Sequence, residues 1–249
     1  MDPSFVKASE ATGGQVFLFD RSEAGRSLVV MKYSRTREDT IWRATDTLST
    51  GVREFSFPVD STVESLLVSV SVQCRQSITL YRPTNTEVRA GDPEVEENQF
   101  KSGLITLLTR PAAGTWRVRL AGVGMFFAVV TAKSSISIDS AEFVEPGGRP
   151  GHEGLFPVKG PVHMGEQRTM SARLTAPTGQ KHFRVVDFAG QTLESLDLKP
   201  SDDTGSASDF LGEVVLKHPE FRLAVQGVDE AGYPYQRILA RSFEVRTSN

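Results

Sequence analysis

The chain has 249 residues, 39% hydrophobic and 24% charged, with a formal net charge of -3. That is the composition of a folded protein of one large or two small domains, and it excludes a disordered tail, a collagen-like repeat and a disulfide-stapled mini-protein. The balance of 28 basic against 31 acidic residues gives no electrostatic footprint for nucleic acid. No apolar stretch approaches the roughly 20 residues that a spanning helix needs.

Met1 leads into polar residues, so no secretory signal is legible. SFVKASEAT (4–12) reads as a short helix that Gly13-Gly14 stop. QVFLF (15–19) has the continuous apolar run of a strand buried on both faces, and DRSEAGRSLVVMKYSR (20–35) reads as a helix with Asp20 or Ser22 as its N-cap. Residues 1–50 thus form a short α/β segment, expected to be the end of a domain whose remainder is missing. The other reading is a native arm, whose open strand edge would pair with a second copy of the chain.

From residue 52 the period changes to two. In VESLLVSVSVQ, Leu66, Val68, Val70 and Val72 share one face, while Ser69 and Ser71 lie on the wet one. REFSFPV (53–59), SITLY (77–81), GLITLLT (103–109), TWRVRLA (115–121), MFFAVV (125–130) and SISI (135–138) are further strands. Turn residues such as Gly122–Gly124 separate them. Trp116 falls in phase with Val118 and Leu120 as a core anchor. Cys74, the single cysteine, makes no internal disulfide and reads as a small buried apolar group. A sandwich or jelly roll over 51–145 is the natural solution.

EPGGRPGHEG, with the linker placed at 146–154, reads as the domain border because its Gly and Pro density opposes regular pairing. About seven strands then fill 155–249, which suits an immunoglobulin- or fibronectin-like sandwich without the Cys-Trp-Cys hallmark. Near Arg241-Ser242 the apolar parity slips, since Ile238 and Ala240 are even while Phe243 and Val245 are odd. A β-bulge there keeps all four facing inward. The expected fold is therefore mainly β: two tandem antiparallel β-sandwiches behind a short N-terminal α/β segment.

Sites for chemistry are sparse. No GxSxG, HExxH or CxxC occurs, and none of the four histidines sits in a nucleophile context. Two acidic groups invite comparison with weak calcium sites: Glu94, Glu96 and Glu97 beside Glu87 and Asp92, and Asp202 and Asp203 beside Asp197 and Asp209. Neither has EF-hand spacing, so each also reads as a wet loop of like charges. Tyr233, Tyr235 and Arg237 fall in a hairpin near the last strands and are contact candidates, together with Trp42 in a transition segment.

The order of three segments carries a resemblance. ASEATGGQVFLFDRSE is similar to the last strand and helix of a von Willebrand factor type A domain. FSFPVDSTVESLLVSVS, ITLYRPTNTEV and RPAAGTWRVRLAGVGMFFAVVTAKSSISI resemble the galactose-binding-like sandwich that follows it in hemicentin-like extracellular proteins. VQGVDEAGYPYQR looks like the end of the sandwich that comes next. The chain has no DxSxS sequence, so metal-dependent adhesion does not carry over. The resemblance implies an extracellular or cell-surface, non-enzymatic binding or structural module, meeting a protein partner, another copy of itself or a glycan. Two alternatives are a carbohydrate- or lipid-binding sandwich, and a small isomerase or cyclase whose apolar pocket is ringed by His182, Asp187 or Glu213.

Overall fold

The computed structural model describes residues 3–33, 38–49, 51–201 and 208–247. Helix α1 (Pro3–Thr12) ends at Gly13, whose φ of 75° supplies the left-handed cap geometry. Asp20 caps a 3-10 turn (Arg21–Arg26) by accepting from Ser22 N–H at 2.9 Å, and the turn runs into α2 (Ser27–Lys32).

Residues 14–20, expected to contain a buried strand, pair with no strand. They form a strap across the outside of the first sandwich, whose side chains meet the strap's backbone groups. Leu18 N–H donates to Ser71 Oγ at 3.1 Å, and Ser102 Oγ donates to Leu18 C=O at 2.7 Å. Phe17 and Phe19 pack edgewise on Phe100 and join Leu67, Ile105 and Tyr33 in a satellite core. Ser69 and Ser71, expected to be wet, are therefore buried. The alternation was real, but a third layer covers its polar face.

The first sandwich holds β1 (Asp39–Leu48), β2 (Val52–Val59), β3 (Ser65–Tyr81), β4 (Val95–Gln99), β5 (Gly103–Thr109) and β6 (Gly114–Lys133). Four expected strands are thus two long ones, since β3 and β6 each continue through a bend. Their shared register shifts between Val72 and Cys74 and between Arg75 and Ser77. Gly124 turns there with φ 92°, and a side chain on Gly122 would lie 2.5 Å from the Cys74 carbonyl oxygen. Gly122–Gly124 is accordingly a corner rather than a turn. Cys74 sits on that corner and is exposed, contrary to the buried position expected for it. Beyond the corner the strands serve two layers, which close on one core of Trp42, Leu66, Val68 and Phe126 with Phe57, Leu80, Trp116 and Val118.

The second sandwich comprises β7 (Ser137–Gly147), β8 (Gly154–Pro157), β9 (Gln167–Thr175), β10 (His182–Val186), β11 (Thr192–Leu196), β12 (Lys199–Pro200), β13 (Asp209–Val215), β14 (Glu220–Val228), β15 (Pro234–Ile238) and β16 (Phe243–Glu244). One sheet runs β12-β13-β9-β7-β8; the facing one runs β11-β10-β14-β15, with β16 on β14. Met170, Leu174, Phe183, Phe210, Leu223 and Tyr235 fill the space between.

Two expectations change here. The border expected at 146–154 is the connection of the β7–β8 hairpin. β7 pairs with β9 from Ser137↔Thr175 to Val144↔Thr169, and Ile136, Ala141 and Phe143 belong to the second core. Glycine and proline mark a turn and a linker alike, so composition could not separate them. The chain passes between sandwiches just after Lys133. The expected bulge near Arg241 also gives way. Tyr235, Phe243 and Val245 face the second core, whereas Ile238 faces the opposite side with Val186 and Ala224. β15 lies between β14 and β1. Tyr235 packs into the second core on one face of β15 and Ile238 against Val186 and Ala224 on the other, so both faces are covered and the strand carries no single apolar parity.

That placement joins the molecule. β15 bridges to β1 at Thr40↔Ile238, and Gln236 Nε2 donates to Ile41 C=O at 2.9 Å. The two cores stay separate, but one sheet runs through both sandwiches.

Candidate functional site

The chemistry of the molecule concentrates at this seam. β15 presents Arg237, 1% exposed, toward the junction. Its Nη2 donates to Asp60 Oδ2 and Ser134 Oγ, both at 2.8 Å, its Nε to Ile136 C=O at 2.8 Å and its Nη1 to Gln236 C=O at 2.7 Å. Asp60, just after β2, comes from the first sandwich and is itself 1% exposed. Its other oxygen accepts from Thr62 N–H at 3.2 Å and Thr62 Oγ1 at 2.5 Å. Every hydrogen-bonded atom of this pair has a partner, which is the condition for burying charge. Burial pushes the nearby Asp39 carboxyl up to about 6, with Arg237 opposing the rise and Asp139 and Asp60 adding to it. Burial also raises the Tyr235 phenol.

A second link uses Asp229, in the β14–β15 loop. One oxygen accepts from Ser61 N–H and Ser61 Oγ at 2.7 Å each, and the other from Ala231 N–H at 3.0 Å and Tyr233 N–H at 2.8 Å. Burial pushes its carboxyl up, but these four bonds outweigh that and hold it below the usual range. Ser61 belongs to the first sandwich, so this loop is bound to its neighbour.

The third link brings in α1. Glu10, 2% exposed, lies between Arg43 of β1 and Arg222 of β14. It pairs with Arg43 Nη2 at 3.2 Å, contacts Arg222, and accepts from Thr45 Oγ1 at 2.9 Å. Arg43 donates onward to Ala240 C=O at 3.1 Å and Gly14 C=O at 3.0 Å. The Arg222 guanidinium stacks 4.7 Å above the Phe188 ring. Desolvation lowers both arginines to about 10.

Two clefts open along the seam on either side of Asp229. One of about 550 Å³ is bordered by Ser61, Thr62, Ser135, Thr175 and Pro177. The other, of about 480 Å³, is bordered by Pro58, Gln180, His182, Gln226 and Tyr235.

The contact candidates separate. Tyr233 is exposed at 41%, whereas Tyr235, Arg237 and Trp42 are buried and are not contact residues. Trp42 stacks on Phe57 in the first core. The hairpin was correctly located, but its second half is an interior strand. Glu94, Glu96 and Glu97 are not a free cluster of like charges. Arg82 Nη2 sits 2.6 Å from both Asp92 and Glu94 and holds both carboxyls below their usual range. Glu96 accepts from Tyr33 Oη at 2.7 Å and pairs with Lys32, and Glu97 accepts from Gln99. Asp202 and Asp203 lie outside the described residues. Among the described residues no group of three His, Cys, Asp or Glu is placed to hold a metal. His182, Asp187 and Glu213 do not ring a pocket: Glu213 is exposed on the other sheet, bonded to Thr169 and Gln167, and Asp187 caps its own turn at Gln191.

Sequence reasoning missed Glu10, Arg43, Asp60, Arg222 and Asp229 as a set. A faint signal existed: Arg43 and Arg222 interrupt IWRAT and FRLAV, where a single charge stands among residues that become buried.

Fold and seam define a tandem β-sandwich module whose two halves are cross-linked by buried charge. Residues 42–135 match the family described as Hemicentin galactose-binding domain-like, so this region is hemicentin-like. Over 242 residues, 96% of the chain, it is 21% identical to Hemicentin-1 of Mus musculus. The chain spans about 4% of the length of that relative. Among solved structures, the Bacillus licheniformis lipase BlEst2 in propeptide form aligns over 88% of this chain and 48% of its own, at 12% identity and a TM-score of 0.36. The N-terminal Ig1-2 module of the Drosophila receptor protein tyrosine phosphatase DLAR aligns over 83% of this chain and 100% of its own, at 12% identity and a TM-score of 0.26.

Proposed function

We propose that the chain is a non-enzymatic structural module that works in extracellular protein contact or assembly, with two sandwiches held as one rigid body. The observation that carries this reading is the use to which the seam puts its charges. Arg237 with Asp60 and Asp229 with Ser61 join the two sandwiches by hydrogen bonds, and the charge contacts of Glu10 with Arg43 and Arg222 tie α1 to both. A general base or nucleophile has to reach a substrate, whereas Arg237, Asp60, Glu10, Arg43 and Arg222 are buried and face one another. The hemicentin-like region agrees with such a role and supports an extracellular setting. In this reading α1 and the strap are the end of a von Willebrand A-type domain, retained as a cover for the first sandwich. Weak calcium binding in the Arg82 loop belongs to the same proposal, with Arg82 as the competing cation.

The test is urea unfolding of the whole chain followed by two probes. Trp42 and Trp116 both lie in the first core, so fluorescence reports that sandwich, while far-UV circular dichroism reports both. A rigid module gives coincident transitions. Two separated transitions refute it. A second reading, a glycan ligand, is favoured by the hydroxyl- and amide-lined clefts beside Asp229. A glycan array without a binder removes it.

A further inference from the structure

We propose that strand β8 is a self-pairing edge through which two copies of the chain form a two-fold dimer; this deepens the reading above and rests on it for the expectation of protein contacts. β8 ends its five-stranded sheet, and all four of its residues are exposed, Leu155 at 40% and Phe156 at 46%. An exposed apolar edge of this kind is a template for another strand.

The ladder to β7 decides which peptide groups are on offer. Its pairs run Val144↔Pro157, Glu145↔Phe156, Pro146↔Leu155 and Gly147↔Gly154, and Val158 N–H donates to Phe143 C=O at 2.9 Å. Hydrogen-bonded and non-hydrogen-bonded pairs alternate along an antiparallel ladder, so Gly154 and Phe156 point their peptide groups at β7. Leu155 and Pro157 point theirs outward. Pro157, with no N–H, therefore stands where the missing donor costs β7 nothing. A strand added at this edge must pair through Leu155, Pro157 and the flanking Glu153 and Lys159.

Among two-fold registers, one satisfies these groups best. With the axis at Phe156, Leu155 N–H meets the Pro157 carbonyl of the second copy, and Glu153 stands opposite Lys159 of the second copy, twice over. Centring on Leu155 instead sets Glu153 against Pro157 and Lys159 against Gly151. Centring on Pro157 opposes two residues that both lack a donor. Glu153 and Lys159 are both exposed, and among the described residues the Glu153 carboxylate otherwise accepts only from Gly151 N–H, at 3.1 Å. The favoured register also makes the two Phe156 residues a non-hydrogen-bonded pair, the arrangement that brings side chains closest. The edge is short, so the dimer belongs to the weak, concentration-dependent class.

Sedimentation equilibrium of the whole chain tests this. The wild type is expected to dimerise reversibly. Glu153→Lys and Lys159→Glu singly should each weaken the dimer roughly tenfold, from two lost pairs and two new repulsions. The combined swap restores the pairs and should restore association. Phe156→Asp should leave a monomer with an unchanged melting temperature, because the ring is exposed. A wild type that stays monomeric up to about 1 mM, the range of the weakest specific contacts, overturns the proposal. A dimer indifferent to the single reversals, or not rescued by the swap, overturns it equally. Neither outcome touches the rigid-module reading, which stands or falls on the unfolding transitions.

Discussion

Replacing Arg237 with methionine tests the seam most directly. Methionine keeps much of the side-chain volume and removes four hydrogen bonds of 2.7–2.8 Å. Asp60 is then left 1% exposed with only Thr62 as a donor, and the Ile136 and Gln236 carbonyls lose a partner. Breaking a buried ion pair from one side costs about 3–5 kcal/mol, and an orphaned buried acceptor about 1–3 kcal/mol more. Relaxation and water entry will offset part of that, so a loss of about 4 kcal/mol is expected, a large share of the 5–15 kcal/mol typical of a folded domain. Urea unfolding followed by tryptophan fluorescence and circular dichroism measures it. The midpoint should fall, and the two probes should separate as the sandwiches uncouple. Arg237→Met combined with Asp60→Asn removes the stranded charge and should recover about 2 kcal/mol, the coupling expected of residues in direct contact. A single variant that loses less than about 0.5 kcal/mol, within the range of ordinary surface changes, would refute the argument that this pair is buried and spans the seam. Absence of any recovery in the double variant would do the same.

Other expectations follow from neighbouring groups. Glu10→Gln leaves Arg43 and Arg222 buried without a counter-charge, at a cost of about 3–5 kcal/mol, and hydrogen exchange across α1 should accelerate first. Asp39→Asn concerns a carboxyl whose folded value, about 6, lies above its ordinary 3.8. Stability from its protonated form is complete below about 3.8 and is lost as pH rises through about 6, so ionisation at pH 7 destabilises the fold. The variant should therefore gain about 1–2 kcal/mol at pH 7, after allowing for partial solvent exposure, and nothing near pH 4; equal gains at both pH values would contradict the assignment. Arg82→Gln frees the Asp92 and Glu94 carboxylates, and millimolar calcium should raise the melting temperature of this variant more than that of the wild type. Equal shifts would remove Arg82 as the competing cation.

Both cores follow from local residue patterns. Alternation in Leu66–Val72, in Trp116–Leu120 and in Met170–Leu174 specifies strands with one greasy face, and that face packs inward wherever the partner layer lies. Period two is a local property, written within a few residues. What lies on the second face of each strand depends on segments far away along the chain. Ser69 and Ser71 look like solvent-facing residues until a strap 53 positions upstream of Ser71 covers them, and Ile238 looks like part of the second core but packs on the opposite face of its sheet with Val186 and Ala224. The corner at Gly122–Gly124 and the hairpin at 146–154 carry the same glycine signals as a turn and a linker, because glycine reports backbone freedom and not where the chain goes next. The seam was the least legible part. Glu10, Asp60 and Arg237 are separated by up to 227 positions, and only the joined sheet brings their charges within reach of partners of opposite sign.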